Sequence, residues 1–200
     1  MQGKRLLLAI VSGVAALSIA APALALMSAP MGWYLEANGG TTKLSNKSYG
    51  NGSSSTSGLG YNANLGYKFM PYFETEIGYT KYPDTKIRGH NSMSAGTDSH
   101  YSYDLAFRGI LPAADTGFEA FAKVGIGRTS SHVSLANSAV AANIGLASGS
   151  HNGTGLYVGV GAQYYFMPEM AAVLQWQRSY GNSSTGNLDF LSVGISFIFE

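Results

Sequence analysis

The chain has 200 residues, the length of one domain, yet only 12% are charged, about half the roughly 25% usual in soluble globular proteins. It holds 26 glycines and 13 tyrosines but no cysteine, which excludes disulfide scaffolds, thiolate zinc sites and cysteine nucleophiles. A formal charge of +1, with no Lys/Arg cluster beyond residue 5, argues against nucleic acid as a partner, since that needs a basic stripe to displace phosphate counterions.

Lys4 and Arg5 precede an apolar stretch from Leu6 to Ala21, and Pro22 leads into Ala23-Leu24-Ala25. This is the three-part layout of a secretory signal peptide, 1–25, with the mature chain expected to begin at Leu26. An uncleaved anchor is the alternative, because Leu6 to Leu26 nearly has the length of a bilayer span. No cysteine follows the apolar region, which excludes a lipoprotein. Without Lys4 and Arg5, ten bases face eleven acids, so the mature chain is close to neutral.

After residue 25 no apolar run is long enough for a spanning helix, so residence in a membrane would need strands. Period-two alternation predicts eight of them, over 32–39, 58–69, 72–82, 99–111, 118–128, 154–166, 170–180 and 188–199. In the last, Leu191, Val193, Ile195, Phe197 and Phe199 alternate with Ser192, Gly194 and Ser196. One face of each strand is aliphatic or aromatic, and the other is Gly, Ser, Asn and Gln with a few charges. A soluble β-sandwich would carry Lys, Glu and Thr on its outer face, so the pattern is inside-out. Short turns at 70–71, 112–117 and 167–169 alternate with polar loops at 40–57, 83–98, 129–153 and 181–187, as in an outer-membrane barrel. The expected fold is all-β, an eight-stranded antiparallel up-and-down transmembrane β-barrel over 26–200, monomeric, whose interior holds side chains rather than a wide channel.

Over 31–199 the chain resembles the OmpA-like eight-stranded barrels. The likeness is carried by Trp33-Tyr34, Pro71-Tyr72, Glu76-Ile77-Gly78-Tyr79, 118–127, Met167-Pro168-Glu169-Met170-Ala171, Leu174-Gln175-Trp176-Gln177 and 191–196. The resemblance implies a Gram-negative outer membrane, contact with its lipid and lipopolysaccharide, and insertion by the barrel-assembly machinery. The machinery's recognition signal is similar to Ser192, Gly194, Phe197 and Phe199, although Glu200 displaces the terminal aromatic by one place. The family's periplasmic peptidoglycan-binding domain is expected to be absent, since the last predicted strand runs to 199. In the family a central set of acids and bases gates the lumen. Glu76 and Arg108 match two of those positions, with Arg for the usual Lys, but the other two are Gln163 and Val173.

Strand phase places Glu36, Lys68, Glu74, Glu76, Asp104, Arg108, Glu119 and Lys123 on the interior face, where they are expected to pair as a plug. His132-Val133-Ser134 resembles the His-x-Ser of lipid A deacylases, yet no acid follows until Glu169 on the opposite rim. His90, His100, His132 and His151 fall at or near the outer loops without metal-ligand spacing, and are read as scattered surface residues. The Gly/Ser-rich stretch 49–60 lacks the Lys of a phosphate cradle and is read as a flexible loop. Trp33, Tyr67, Tyr72, Tyr82, Tyr101, Trp176 and Tyr180 are expected to anchor the barrel at the headgroups, with Lys81 and Arg178 facing lipopolysaccharide phosphates. The expected function is structural and surface-exposed, with no cofactor or metal, and with adhesion or binding of host-surface or serum proteins through the loops. A narrow passive channel and a lipid A-modifying enzyme are the alternatives.

Overall fold

The computed structural model describes residues 30–56, 58–89, 92–113 and 116–199. The expected signal peptide, the expected start at Leu26, His90 and Glu200 lie outside them. The elements are β1 (Gly32–Ser45), β2 (Ser53–Thr56), β3 (Gly60–Met70), β4 (Phe73–Lys81), β5 (Thr85–Arg88), β6 (Ser94–Pro112), β7 (Phe118–Leu135), α1 (Ser138–Asn143), β8 (Gly149–Tyr165), β9 (Met170–Ser179) and β10 (Asn187–Phe199).

Eight of these strands form the barrel wall: β1, β3, β4, β6, β7, β8, β9 and β10, each antiparallel to its neighbours. The ring closes where β1 meets β10, from Trp33 opposite Phe199 to Ser45 opposite Asn187. Closure satisfies every strand's backbone groups inside lipid, where no water is present to do so. Leu35, Leu65, Ile77, Leu105, Phe107, Val124, Ile126, Val160, Val193 and Ile195 are exposed on the outer wall, while their strand neighbours are polar or small and turned inward.

The strands overrun the predicted bounds at one end. β1 continues to Ser45, β6 starts at Ser94, β7 runs to Leu135 and β8 starts at Gly149. Much of the expected loops 40–57, 83–98 and 129–153 is therefore sheet, with β2 paired to β5 and β5 to the outer end of β6. The expectation of a flexible loop over 49–60 is corrected in the same way, since it contains β2 and the buried Tyr49. The pairing persists past the lipid, as between Ser131 and His151, but there both faces are polar. The contrast that reveals a strand in hydropathy disappears although the strand does not.

These overruns fold into a cap. Tyr49, Ile87, Ala95, Val133 and Ile144 form a buried apolar cluster, flanked by Leu44, Val140 and Leu146. The helix α1 supplies Val140 and ends at Ile144; Asn137 starts it, its Oδ1 accepting from the Ala139 and Val140 amides at 3.1 Å.

Candidate functional site

Two polar assemblies occupy the interior: a charge network inside the barrel wall and a carboxylate cluster beneath the cap. All eight ionisable residues named from strand phase face inward, and each is buried. Arg108 is the hub. Its Nε lies 2.8 Å from Glu74 Oε1, its Nη1 3.1 Å from Glu36 Oε2, and its Nη2 donates to Gln163 Oε1 at 2.5 Å. Its guanidinium lies over the Phe121 ring, 3.5 Å from the centroid. Lys123 pairs with Glu76 at 2.8 Å, and Tyr34 donates to the other oxygen of Glu76 at 2.8 Å. Lys68 pairs with Glu119 at 3.1 Å, and Gln163 donates to Glu119 at 2.6 Å. The two departures from the family gate fill different roles: Gln163 bridges Arg108 to Glu119, and Val173 packs with Ile110 and Phe121.

The network extends through neutral residues that charge-based reading passed over. Glu36 accepts from Asn38 at 2.8 Å, Asn64 at 3.0 Å and Gln175 at 3.1 Å, and Asn62 donates to Asn64 at 2.9 Å. All share the inward phase of Glu36 and Glu76, so a period-two count of amides would have found them.

Under the cap, Asp98 gathers Lys47 at 2.5 Å, the Tyr49 hydroxyl at 2.7 Å, the Ser131 hydroxyl at 2.8 Å and His100 Nε2 at 3.3 Å. This cluster sits at the outer end of β6, beyond the tyrosines at 101 and 103. Burial opposes the charge on Asp98, but His100, Lys47, Tyr49 and Ser131 outweigh it and hold the carboxyl below its usual range. Burial pushes the His100 imidazole down to about 4, against the pull of Asp98. Burial, then donation to Asp98, pushes the Tyr49 phenol up.

His100 therefore corrects the expectation of scattered surface histidines, since it is fully buried; His132 and His151 are exposed. His132 and Ser134 share the outward face of β7, but His132 Nδ1 lies 2.7 Å from Ser150 Oγ. Among the described residues no cluster of His, Cys, Asp or Glu is suited to a metal.

The aromatic residues form two bands. Trp33 with Tyr67 and Phe118 with Tyr164 lie at the end holding the short turns, while Tyr61, Tyr79, Tyr101 and Tyr103 lie in contact near the cap. Tyr82 is a correction. It points into the barrel, edge-on to Phe190 at 6.0 Å, with its hydroxyl 3.0 Å from Ser102. It follows Thr80 in the inward phase of β4, so alternation outweighs its place at a strand end. Lys81 and Arg178 also have protein partners: Asp84 at 3.6 Å, and Asp189 at 2.6 and 2.7 Å.

Residues 9–199 match the family model described as the outer membrane protein beta-barrel domain. The chain belongs to this family. The outer-membrane barrel is also similar to three solved structures. Neisserial surface protein A matches with a TM-score of 0.59 and 15% identity over 84% of this chain and 97% of that one. OprG from Pseudomonas aeruginosa matches with 0.57 and 11% over 87% and 100%. Ail, the attachment invasion locus protein of Yersinia pestis, in complex with the heparin analogue sucrose octasulfate, matches with 0.54 and 12% over 84% and 99%. At such identities the likeness shows the fold. No sequence match was found among curated proteins.

Proposed function

We propose that this outer-membrane surface barrel is a recognition protein, in which the lumen is a structural plug and the cap binds a host-surface or serum factor. The observation that carries the reading is the cap itself: sheet and helix raised beyond the outer tyrosine band around an apolar cluster of their own. A barrel needing only to span lipid would close these strands with short turns.

Lys43, Lys86, Arg88 and Arg128 are exposed around the same end, whereas Asp84 and Asp189 are engaged by Lys81 and Arg178. This surplus of positive charge favours a partner rich in acidic groups, and the heparin analogue bound by Ail is of that chemistry. Lipopolysaccharide phosphates meet the lower part of the same rim. A narrow channel would need a water path past Arg108, where Glu36, Glu74, Gln163 and the Phe121 ring converge. A deacylase would need Ser134 next to His132, which is bonded to Ser150.

Export by the 1–25 signal and insertion through Ser192, Gly194, Phe197 and Phe199 complete the proposal. Mass spectrometry of the membrane fraction should find Leu26 as the first residue. For recognition, cells displaying the parent or the Lys86→Glu/Arg88→Glu variant are compared for adherence to cultured cells and capture of serum proteins, with gel migration confirming folded barrel. The parent should bind and the variant should bind less. Cells displaying the parent that bind no better than cells lacking the protein would refute the reading.

A further inference from the structure

Among the described residues, five carboxylates are buried in the barrel wall, Glu36, Glu74, Glu76, Asp104 and Glu119, against three cations, Lys68, Arg108 and Lys123. The cations are committed: Arg108 to Glu36 and Glu74, Lys123 to Glu76, and Lys68 to Glu119. Asp104 enters none of these ion pairs. It is 6% exposed, and neither of its carboxylate oxygens has a hydrogen-bond partner. A carboxylate withdrawn from water without a counter-charge is unfavourable, so the position calls for one.

Asp104 stands among small residues. Its register partners on both sides are glycines, Gly78 on β4 and Gly127 on β7, and its inward neighbours along β6 are Ser102 and Ala106. A methyl carbon added at Gly78 would stand 2.6 and 2.7 Å from the two Asp104 oxygens and 2.7 Å from Asn64 Oδ1. All three oxygens therefore crowd together against Gly78, where even a methyl group would clash with them. Asn64 Oδ1 accepts from Asn62, and the Asn64 amide nitrogen is turned away to Glu36. The cluster presents acceptors.

We infer that Asp104 and Asn64 hold a monovalent alkali cation in the barrel interior. One uncommitted carboxylate and one neutral amide oxygen supply a single negative charge, which a single positive charge balances. A calcium-like ion is usually held by several carboxylates, whereas Asp104 is the one unpaired acid here among the described residues. No cluster of that kind exists among the described residues. The cation serves the one acid that no base of the barrel wall contacts, while Glu36 and Glu74 share Arg108.

The test is the urea midpoint of purified barrel in zwitterionic micelles, in sodium, potassium or choline chloride at equal ionic strength. The parent midpoint should rise with sodium or potassium but not choline, because a ligand bound only by the folded state stabilises it. Asp104→Asn should remove that dependence, and Gly78→Ala, whose methyl would push the Asp104 and Asn64 oxygens out of place, should weaken it. If neither variant folds, sodium-23 relaxation of the parent, competed by potassium but not choline, provides the readout. A parent equally stable in choline, or with a protonated carboxyl in its infrared spectrum, would overturn the inference in favour of water or a proton. An Asp104→Asn barrel with unchanged sodium dependence would overturn it as well.

Discussion

Replacing Arg108 with alanine separates its partners by how much else supports them. Glu76 keeps Lys123 and Tyr34, and Glu36 keeps the amides of Asn38, Asn64 and Gln175. Glu74 has no other ion-pair partner among the described residues, so it becomes a buried unpaired acid. Breaking a buried pair from one side costs about 3–5 kcal/mol, largely through the charge left behind. Adding Glu74→Gln to Arg108→Ala removes that charge. The double variant should recover most of the loss and retain the part due to lost packing on Phe121, 3.5 Å from the guanidinium. Urea unfolding followed by tryptophan fluorescence and by migration of unboiled protein measures both effects. In planar bilayers the parent should show no steady conductance, and Arg108→Ala should admit water and ions. A double variant no more stable than the single, or Arg108→Ala unfolding at the parent midpoint, would refute the hub assignment.

The cap should loosen in acid. His100 titrates near its ordinary 6.5 when unfolded and at about 4 when folded, so its contribution is complete above about pH 6.5 and lost as pH falls towards 4. The loss is at most about 3 kcal/mol, and Asp98, whose folded carboxyl is also depressed, adds to it only at lower pH still. Once the slower intrinsic amide exchange at lower pH is divided out, the protection factors of 45–52 should fall between pH 7 and pH 5, and unchanged protection factors would contradict this account. Ile144→Ala should cost the cap about 2–5 kcal/mol and expose 45–52 to protease while the barrel's urea midpoint holds; joint unfolding would show that cap and barrel are one unit. Phe199→Asp sits at the turn-side rim opposite Trp33, where a lipid-facing charge costs about 1 kcal/mol or less. This is too little to unfold a barrel, so the variant should refold in micelles yet accumulate in the periplasm of cells. Normal outer-membrane levels would refute a role in assembly.

The lipid-embedded part of the fold is legible in the sequence because lipid enforces a contrast. Leu191, Val193 and Ile195 must face hydrocarbon while Ser192 and Ser196 must not, and the same rule locates Glu36 and Arg108 inside. The constraint ends at the headgroups. Thr129, Ser131 and His151 belong to strands as regular as those below, but no hydropathy difference marks them. The partners of Asp98 were unreadable for a different reason, since Lys47 and Tyr49 come from the segment after β1 and Ser131 from β7, and only the folded cap brings them to β6. Which carboxylate takes which base is likewise set by side-chain reach across the lumen, as Lys68 on β3 shows by meeting Glu119 on β7.

The ordered cap also bears on how association proceeds. Flexible segments that settle onto a partner give up conformational freedom at that moment, and this subtracts from affinity. Here the side chains of Tyr49, Val133 and Ile144 are already fixed against one another, so that entropy is surrendered during folding. An encounter then resembles the docking of two preformed shapes. Substitutions of exterior charges such as Lys86 and Arg88 should act first on how fast a partner is met and on its salt dependence, while those in the cap's interior change whether the surface exists at all.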